Sequence, residues 1–208
     1  VMRKSLKIIL ALVAFILALY FSFYTESLSE RQLKEQFKEF NPAQVVDYCW
    51  EHKLEDLVRH AIPCGEFFEG LQDDAKSYAE RQGKVLGIGS NYFFVMQAQA
   101  EISSVDEHNL YLILNRDVKA TIPLVNIFSN LARDASAWFN PDDFQNTMDF
   151  NALSSYLNKK ILQEVLAPLS ERFSPGVRIE FVAAVEVNIT DLPLKELVLI
   201  PYKIEILS

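Results

Sequence analysis

Three side chains on one predicted helix are of the types that bind transition metals. His52, Asp56 and His60 follow one another at intervals of four residues, so all three lie on the same helical face. The helical rise separates the outer two by about 12 Å, which is too far for one zinc ion with ligand bonds of about 2 Å. We therefore predict a solvated face, with no metal site and no cofactor.

Two cysteines and a glycine-spaced segment give weaker signals. Cys49 lies within the predicted helix and Cys64 opens the next one, about 18 Å further along the axis, whereas a disulfide tolerates about 7 Å between α-carbons. We expect two small buried hydrophobic side chains. Gly87 and Gly89 precede a strand, whereas a phosphate-binding loop opens a helix. Because no serine has the sequence context of an activated nucleophile, we predict no catalytic residue and a protein that is not an enzyme.

Polar and aromatic residues are densest between positions 126 and 144. Arg133 beside Asp134 can form charge-assisted hydrogen bonds either to a ligand or to the protein's own backbone. Asn158 falls inside the apolar stripe of the following helix, so it must be hydrogen-bonded, and the 126–144 insertion is its natural partner. We take Arg133, Asp134, Asn130 and Asn158 as candidate ligand-binding residues. The alternative is a polar lock between the insertion and the helix.

Two helices are predicted upstream of these residues. Asn41 followed by Pro42 favours a helix start, because Asn accepts orphan amide protons and Pro is tolerated in the first turn. A second helix follows the break at Pro63 and ends near Gly83. With a stalk before them, these helices predict a small helical domain over residues 28 to 86.

From residue 87 the apolar period changes from 3.6 to 2, which indicates strands. Strands are expected near 94–102, 110–114, 118–122, 177–188 and 198–206, with the insertion and one long helix between the third and the fourth. That order is typical of the five-stranded, partly open oligonucleotide/oligosaccharide-binding (OB) barrel. We predict an α+β chain with an OB-like barrel domain over 87 to 208. A plain antiparallel sheet packed against one helix is the alternative.

The N-terminal segment predicts where the protein lies. Three positively charged residues precede an apolar stretch at 8–23, and acidic residues follow it, so the positive-inside rule places the N-terminus in the cytosol. Residues 1 to 27 are predicted to be an uncleaved signal anchor that contacts the inner membrane through residues 6 to 24. Small residues of a cleavage site are lacking at its end, although cleavage near Ser27 is the main alternative. We expect a single-pass protein of the bacterial inner membrane with its C-terminal domain in the periplasm.

Composition describes an ordinary folded domain with an acidic surface. Half of the 208 residues are hydrophobic, and the formal net charge is −8. Residues 1 to 27 contribute +2, so the remainder carries −10. Because nucleic-acid binding depends on Lys and Arg that neutralise phosphates, this charge excludes nucleic acid as a partner.

Several short motifs carry a resemblance to a known family. They are Asn41-Pro42 before Trp50, Ile127-Phe128-Ser129-Asn130, Arg133-Asp134-Ala135-Ser136, and the later Phe144, Asn146 and Asn158. Over roughly residues 20 to 206 the chain resembles the bacterial predicted periplasmic lipoproteins of domain-of-unknown-function family 2291. It departs from the family at Ser129, where Gly is expected, and in lacking a lipidation cysteine after the apolar run. The resemblance implies a helical domain joined to a barrel-like α/β domain, companions of sugar-type ABC importers, and no established activity.

Three functional hypotheses follow. The first is a non-enzymatic envelope accessory protein that binds a small polar solute or sugar, or assists an ABC transporter. The second is a structural or assembly protein whose acidic surface docks an envelope partner. The third is a carbohydrate-active hydrolase with Asp134 and either Asp142 or Asp143 as its carboxylates, which such chemistry needs at about 5 to 9.5 Å from each other.

Overall fold

The structure, a computed structural model, describes residues 40–87, 89–114, 118–144 and 146–207. The predicted signal anchor, its membrane contact at residues 6 to 24 and most of the stalk lie outside these ranges. Among the described residues, no helix is both long and apolar enough to cross a membrane.

Two helices precede the barrel. Helix α1 spans Pro42–Arg59, and Asn41 is its N-cap. Asn41 Oδ1 accepts hydrogen bonds from the backbone amides of Ala43 and Gln44 at 3.1 and 3.3 Å. A two-residue strand, β1 (Ile62–Pro63), leads into α2 (Cys64–Gln82). Helix α2 is kinked at Asp74, where the backbone leaves the helical region and the Asp side chain caps the second half. Both predicted helices are therefore present.

Five strands form the barrel: β2 (Asn91–Val105), β3 (Asn109–Leu114), β4 (Val118–Pro123), β5 (Arg178–Asn188) and β6 (Glu196–Ile206). Their spatial order is β2-β3-β4-β6-β5, and β5 pairs back onto β2 along most of its length, from Asn91–Asn188 to Glu101–Arg178. All these pairings are antiparallel except β4 with β6, which is parallel. The predicted five-stranded barrel is confirmed. It is closed, and the plain antiparallel alternative is wrong.

The insertion between β4 and β5 holds more structure than its sequence predicts. It contains a short helix, α3 (Leu131–Ser136), a 3-10 turn (Pro141–Asp143) and the predicted long helix, α4 (Thr147–Lys160). After α4 the chain continues through a π-helical segment (Ile161–Leu166) and a 3-10 segment (Ala167–Arg172) to β5. Helix α3 contacts β2, β5 and β6, while α4 packs against α1 and α3.

Apolar residues from the helices and the strands form a shared core. Phe67 of α2 packs edge-on to Phe94 of β2, with 5.3 Å between ring centroids, and Tyr78 stacks on Phe94 at 6.1 Å. The inward-facing residues of the strands, such as Ile102 and Phe181, are completely buried. Asn41–Ser208 is a single compact unit by its internal contacts. The proposed boundary between residues 86 and 87 stays a prediction.

Candidate functional site

Helix α3 carries a buried ion pair. The side chains of Arg133 and Asp134 are 5% and 8% exposed, and Arg133 Nε donates to Asp134 Oδ1 at 2.7 Å. The other end of the guanidinium reaches α4, where Nη1 donates to the carbonyl of Phe150 at 3.3 Å and to Asn151 Oδ1 at 3.0 Å. Its central carbon lies 3.8 Å from the centroid of the Phe150 ring. Arg133 therefore binds α3 to the start of α4.

Burial governs the protonation of this pair. Withdrawal from water disfavours the charged carboxylate and raises the pKa of Asp134 above its usual value, while the hydrogen bond and charge of Arg133 oppose part of that rise. The contact between the two side chains is shielded from solvent on both sides.

Asn158 connects α4 to the segment before α3. Its Nδ2 donates to the carbonyl of Ile127 at 3.0 Å and to the carbonyl of Ser129 at 2.7 Å. The expectation that the insertion would be its partner is confirmed. Asn158 Oδ1 and the hydroxyl of Ser154, one turn earlier, have no hydrogen-bond partner among the described residues. The amide group of Asn158 therefore holds two backbone carbonyls with its donors alone.

Further hydrogen bonds hold the backbone of α3, one of them from the barrel and two from within the insertion. The phenol of Tyr202, on β6, donates to the carbonyl of Ala132, and burial raises the pKa of that phenol. Ser136 Oγ donates to the carbonyl of Arg133 at 2.8 Å, and Ser129 Oγ accepts from the amide of Leu131 at 2.9 Å. The alternating pattern of β6 shows that Tyr202 points inward, but the sequence gives no sign of its partner.

An open cleft of about 930 Å³ lies next to this anchored segment. Ser129 and Leu131 line one side, Glu186 and Asn188 at the end of β5 line another, and residues 191 to 198 complete it. Most of residues 191 to 198 belong to the loop between β5 and β6. No sequence motif identified this loop as part of a site. In OB folds, this loop contributes to ligand binding.

The lining of the cleft combines aliphatic side chains with polar, mainly acidic ones, and no aromatic residue is among the described residues that form it. The lining carries three acidic side chains and one basic side chain, which are Glu186, Asp191, Glu196 and Lys195. Glu186 Oε1 accepts a hydrogen bond from Asn91 Nδ2 at 2.7 Å. This bond fixes the carboxylate of Glu186 near the C-terminal end of β5. A cleft with this charge suits a neutral or cationic solute and repels an anionic one.

The four candidate residues fall into two groups. Arg133 and Asp134 contact each other, and Asn158 reaches the same segment from α4, but none of the three lines the cleft. Asn130 is exposed and lies between the two cleft-lining residues Ser129 and Leu131. None of the four candidates therefore lines the cleft, and Asn130 adjoins it only as the chain neighbour of two lining residues.

The weaker candidates from the sequence are also located. His52 and His60 are exposed, and each Nδ1 contacts the carbonyl four residues earlier, at 2.9 Å. Within the described ranges, no group of three or more His, Cys, Asp or Glu residues could hold a metal ion. Cys49 is buried, Cys64 is half-buried, and both are free thiols. Burial raises the pKa of both thiols, so they favour the protonated, less nucleophilic form.

The closed five-stranded barrel defines an OB-fold protein. Its helical insertion packs against the strands, and the cleft lies beside the β5–β6 loop. The chain belongs to the family of predicted periplasmic lipoproteins designated domain of unknown function 2291, whose model matches residues 13–205. The predicted family is therefore confirmed, and its description places the protein in the periplasmic envelope.

The fold is also found in a solved structure. A crystal structure of an OB-fold protein from Thermotoga maritima superposes with a TM-score of 0.70 at 23% sequence identity, over 82% of this chain and 100% of that chain. This likeness confirms the OB-like part of the predicted fold. No curated protein has significant sequence similarity to the chain.

Proposed function

We propose that the protein is a non-enzymatic, solute-binding component of the periplasmic envelope that holds a small polar molecule in the cleft beside the β5–β6 loop. The observation that carries the proposal is the cleft itself. Its volume of about 930 Å³ lies within the roughly 300 to 1,000 Å³ typical of small-molecule sites. It combines apolar walls with polar groups from three separate segments, the composition such sites share.

In this proposal the candidate residues act at two levels. Asn130, the chain neighbour of the lining residues Ser129 and Leu131, would contact the solute directly. Arg133, Asp134 and Asn158 are positioning residues: they hold the 127–136 segment so that the wall at Ser129 keeps its shape. A site whose supporting contacts are buried and hydrogen-bonded is preorganised, which lowers the entropy lost on binding.

The burial of Asp134 supports a binding role over a hydrolytic one. A glycosidase acid must reach the bond that it protonates, and Asp134 is 8% exposed with Oδ1 taken up by Arg133. A raised pKa alone does not make this carboxyl a general acid.

The cellular role that we propose follows from location. The apolar stretch at 8–23 would anchor the chain in the inner membrane as a single span through residues 6 to 24, with the barrel in the periplasm. A tether raises the effective concentration of the barrel near other proteins of that membrane. An accessory role beside a sugar-type ABC importer is the role that this arrangement serves best.

The test is a binding screen of the full chain in detergent. The panel consists of D-glucose, D-ribose, adenosine and L-lysine, with glucose 6-phosphate as an anionic member. We expect at least one neutral or cationic member to bind saturably by calorimetry. At 100 times its Kd such a ligand adds about 2.7 kcal/mol to the free energy of unfolding and raises Tm by roughly 5 to 11 °C.

A cleft-filling variant provides the control. Val198 lines the cleft from an exposed position on β6, so Val198→Trp fills space without disturbing the core. Binding must be lost in this variant while its Tm without ligand stays near that of the wild type. No binding by any member of the panel, or equal binding by Val198→Trp, would overturn the proposal.

A further inference from the structure

Strands β5 and β6 separate from each other at the cleft. Their antiparallel pairing ends at Val185 and Leu199. Beyond that pair, β5 continues beside β2 as far as Asn188, whereas β6 between Glu196 and Val198 pairs with β4. The lining of the cleft includes residues from both of these strand ends. Two strand segments that have parted therefore border the proposed binding site.

Each of the two segments has a strand partner on one side only. Residues 186–188 of β5 pair with β2, residues 196–198 of β6 pair with β4, and no other strand pairing among the described residues involves either segment. One carbonyl, that of Asn188, accepts a turn bond from the amide of Asp191 at 3.0 Å. A strand edge without a partner strand presents N–H and C=O groups at a regular spacing, and an extended peptide can pair with such an edge.

The charged side chains of the lining have no charged partners of their own. None of its three carboxylates and one ammonium forms an ion pair within the described part of the chain. Glu186 and Asp191 each accept a hydrogen bond through one oxygen, from Asn91 at 2.7 Å and from the Thr190 hydroxyl at 3.3 Å. The side chain of Glu196 bonds to no other described residue. The lining therefore carries an uncompensated formal charge of −2, which favours a ligand with a positive charge.

We propose that the ligand is a short peptide with a free N-terminal ammonium group, bound in extended form between the parted ends of β5 and β6. The inference rests on the proposed function and names the class of solute. The backbone of the peptide pairs with the strand edges, as in β-strand addition. Its ammonium group lies between the carboxylates of Glu186 and Glu196 and donates charge-assisted hydrogen bonds to them. The aliphatic part of the lining contacts the apolar side chains of the peptide.

The test measures binding of four probes to the full chain in detergent by calorimetry. Trialanine amide has both features of the proposed ligand. N-acetyl-trialanine amide keeps the amides without the ammonium, L-lysine has ammonium groups without a peptide bond, and D-glucose has neither. We expect trialanine amide to bind saturably and the acetylated peptide and L-lysine to bind more weakly by about tenfold or more, the loss that follows when hydrogen bonds to a charged group are removed.

Two charge-neutralising variants locate the binding of the ammonium group. Glu196→Gln keeps the size of a lining side chain and removes its charge, so it should weaken binding of trialanine amide by about tenfold and leave binding of the acetylated peptide unchanged. Glu55 is exposed on α1 and does not line the cleft. The matched control Glu55→Gln removes the same charge and should change the Kd of either peptide by less than about twofold.

The outcomes separate this inference from the proposed function. Equal affinity for the free and the acetylated peptide, or unchanged affinity for trialanine amide in Glu196→Gln, overturns the peptide inference. Saturable binding of D-glucose that is lost in Val198→Trp, without binding of trialanine amide, overturns it as well but leaves the proposed function standing. If no peptide and no member of the solute panel binds, both are overturned.

Discussion

The amide of Asn158 is the single group whose loss should most disturb the candidate site. Asn158→Asp keeps the shape and volume of the side chain but replaces the donor Nδ2 with an oxygen. Both carbonyls that it now binds, those of Ile127 and Ser129, would lose their partner and face an acceptor. Each net hydrogen bond contributes about 0.5 to 1.5 kcal/mol, and an unsatisfied buried group adds its desolvation cost. We expect a loss of about 3 kcal/mol.

The assay is thermal and urea unfolding of the full chain followed by circular dichroism. For a chain of this size a loss of about 3 kcal/mol corresponds to a fall in Tm of roughly 6 to 12 °C. Hydrogen exchange supplies a local measurement. The amide of Leu131, which donates to Ser129 Oγ, should exchange faster in Asn158→Asp because the segment that positions Ser129 is released.

Ser154→Ala is the control on the same helical face. The hydroxyl of Ser154 is buried and has no partner among the described residues, so its removal should leave the free energy of unfolding unchanged or slightly increased. The reasoning would be refuted if Asn158→Asp unfolded within 0.5 kcal/mol of the wild type, on the order of the scatter of neutral surface changes. Equal losses in the two variants would also refute it.

Three further predictions concern the described fold. Tyr78→Phe should stabilise the protein by about 1 kcal/mol in urea unfolding, because it removes a buried hydroxyl without a partner. Burial also raises the pKa of Tyr78 to about 12, so the wild type should lose stability between about pH 10 and 12, and a titration of Tm should show a smaller loss in the variant. Gly70→Ala should destabilise the protein by about 1 to 3 kcal/mol, since a methyl group there would overlap the Tyr78 ring; an unchanged Tm would contradict this. Hydrogen bonds from two backbone amides and the Tyr111 phenol lower the pKa of Asp106, so Asp106→Ala should lower Tm at pH 7, and the difference should shrink as the pH falls below about 3.9.

Local patterns in the sequence were sufficient for most of the elements. The two-residue period predicted a strand at 177–188 and the structure has β5 at Arg178–Asn188, because alternate side chains of a barrel strand must face the core. The Asn-Pro pair predicted the start of α1 for an equally local reason. The closure of β2 on β5 and the parallel pairing of β4 with β6 depend on residues far apart in the chain, which no local period encodes.

The site was less accessible to sequence reasoning. Adjacent opposite charges identified Arg133 and Asp134 as a pair, but their contacts at the start of α4 depend on tertiary packing. The kink at Asp74 was missed because the apolar pattern of α2 continues through it. The helix α3 was missed because six residues are too few to show a helical period. The cleft wall at residues 191 to 198 has no distinctive residue types, so only its position beside β5 reveals it.

The buried Arg133–Asp134 pair is better explained by geometry than by stability. Removing two charges from water costs several kcal/mol for each ion, and apolar replacements of buried pairs in other proteins are often neutral or stabilising. A pair that merely filled the core would therefore contribute little that an apolar pair could not. The pair provides orientation. Two hydrogen bonds from Arg133 fix α3 relative to α4, the bond to Asp134 holds the guanidinium in place, and α3 begins at Leu131, which lines the cleft. We infer that the pair specifies the position of the cleft wall at Leu131, as polar contacts specify register in other cores.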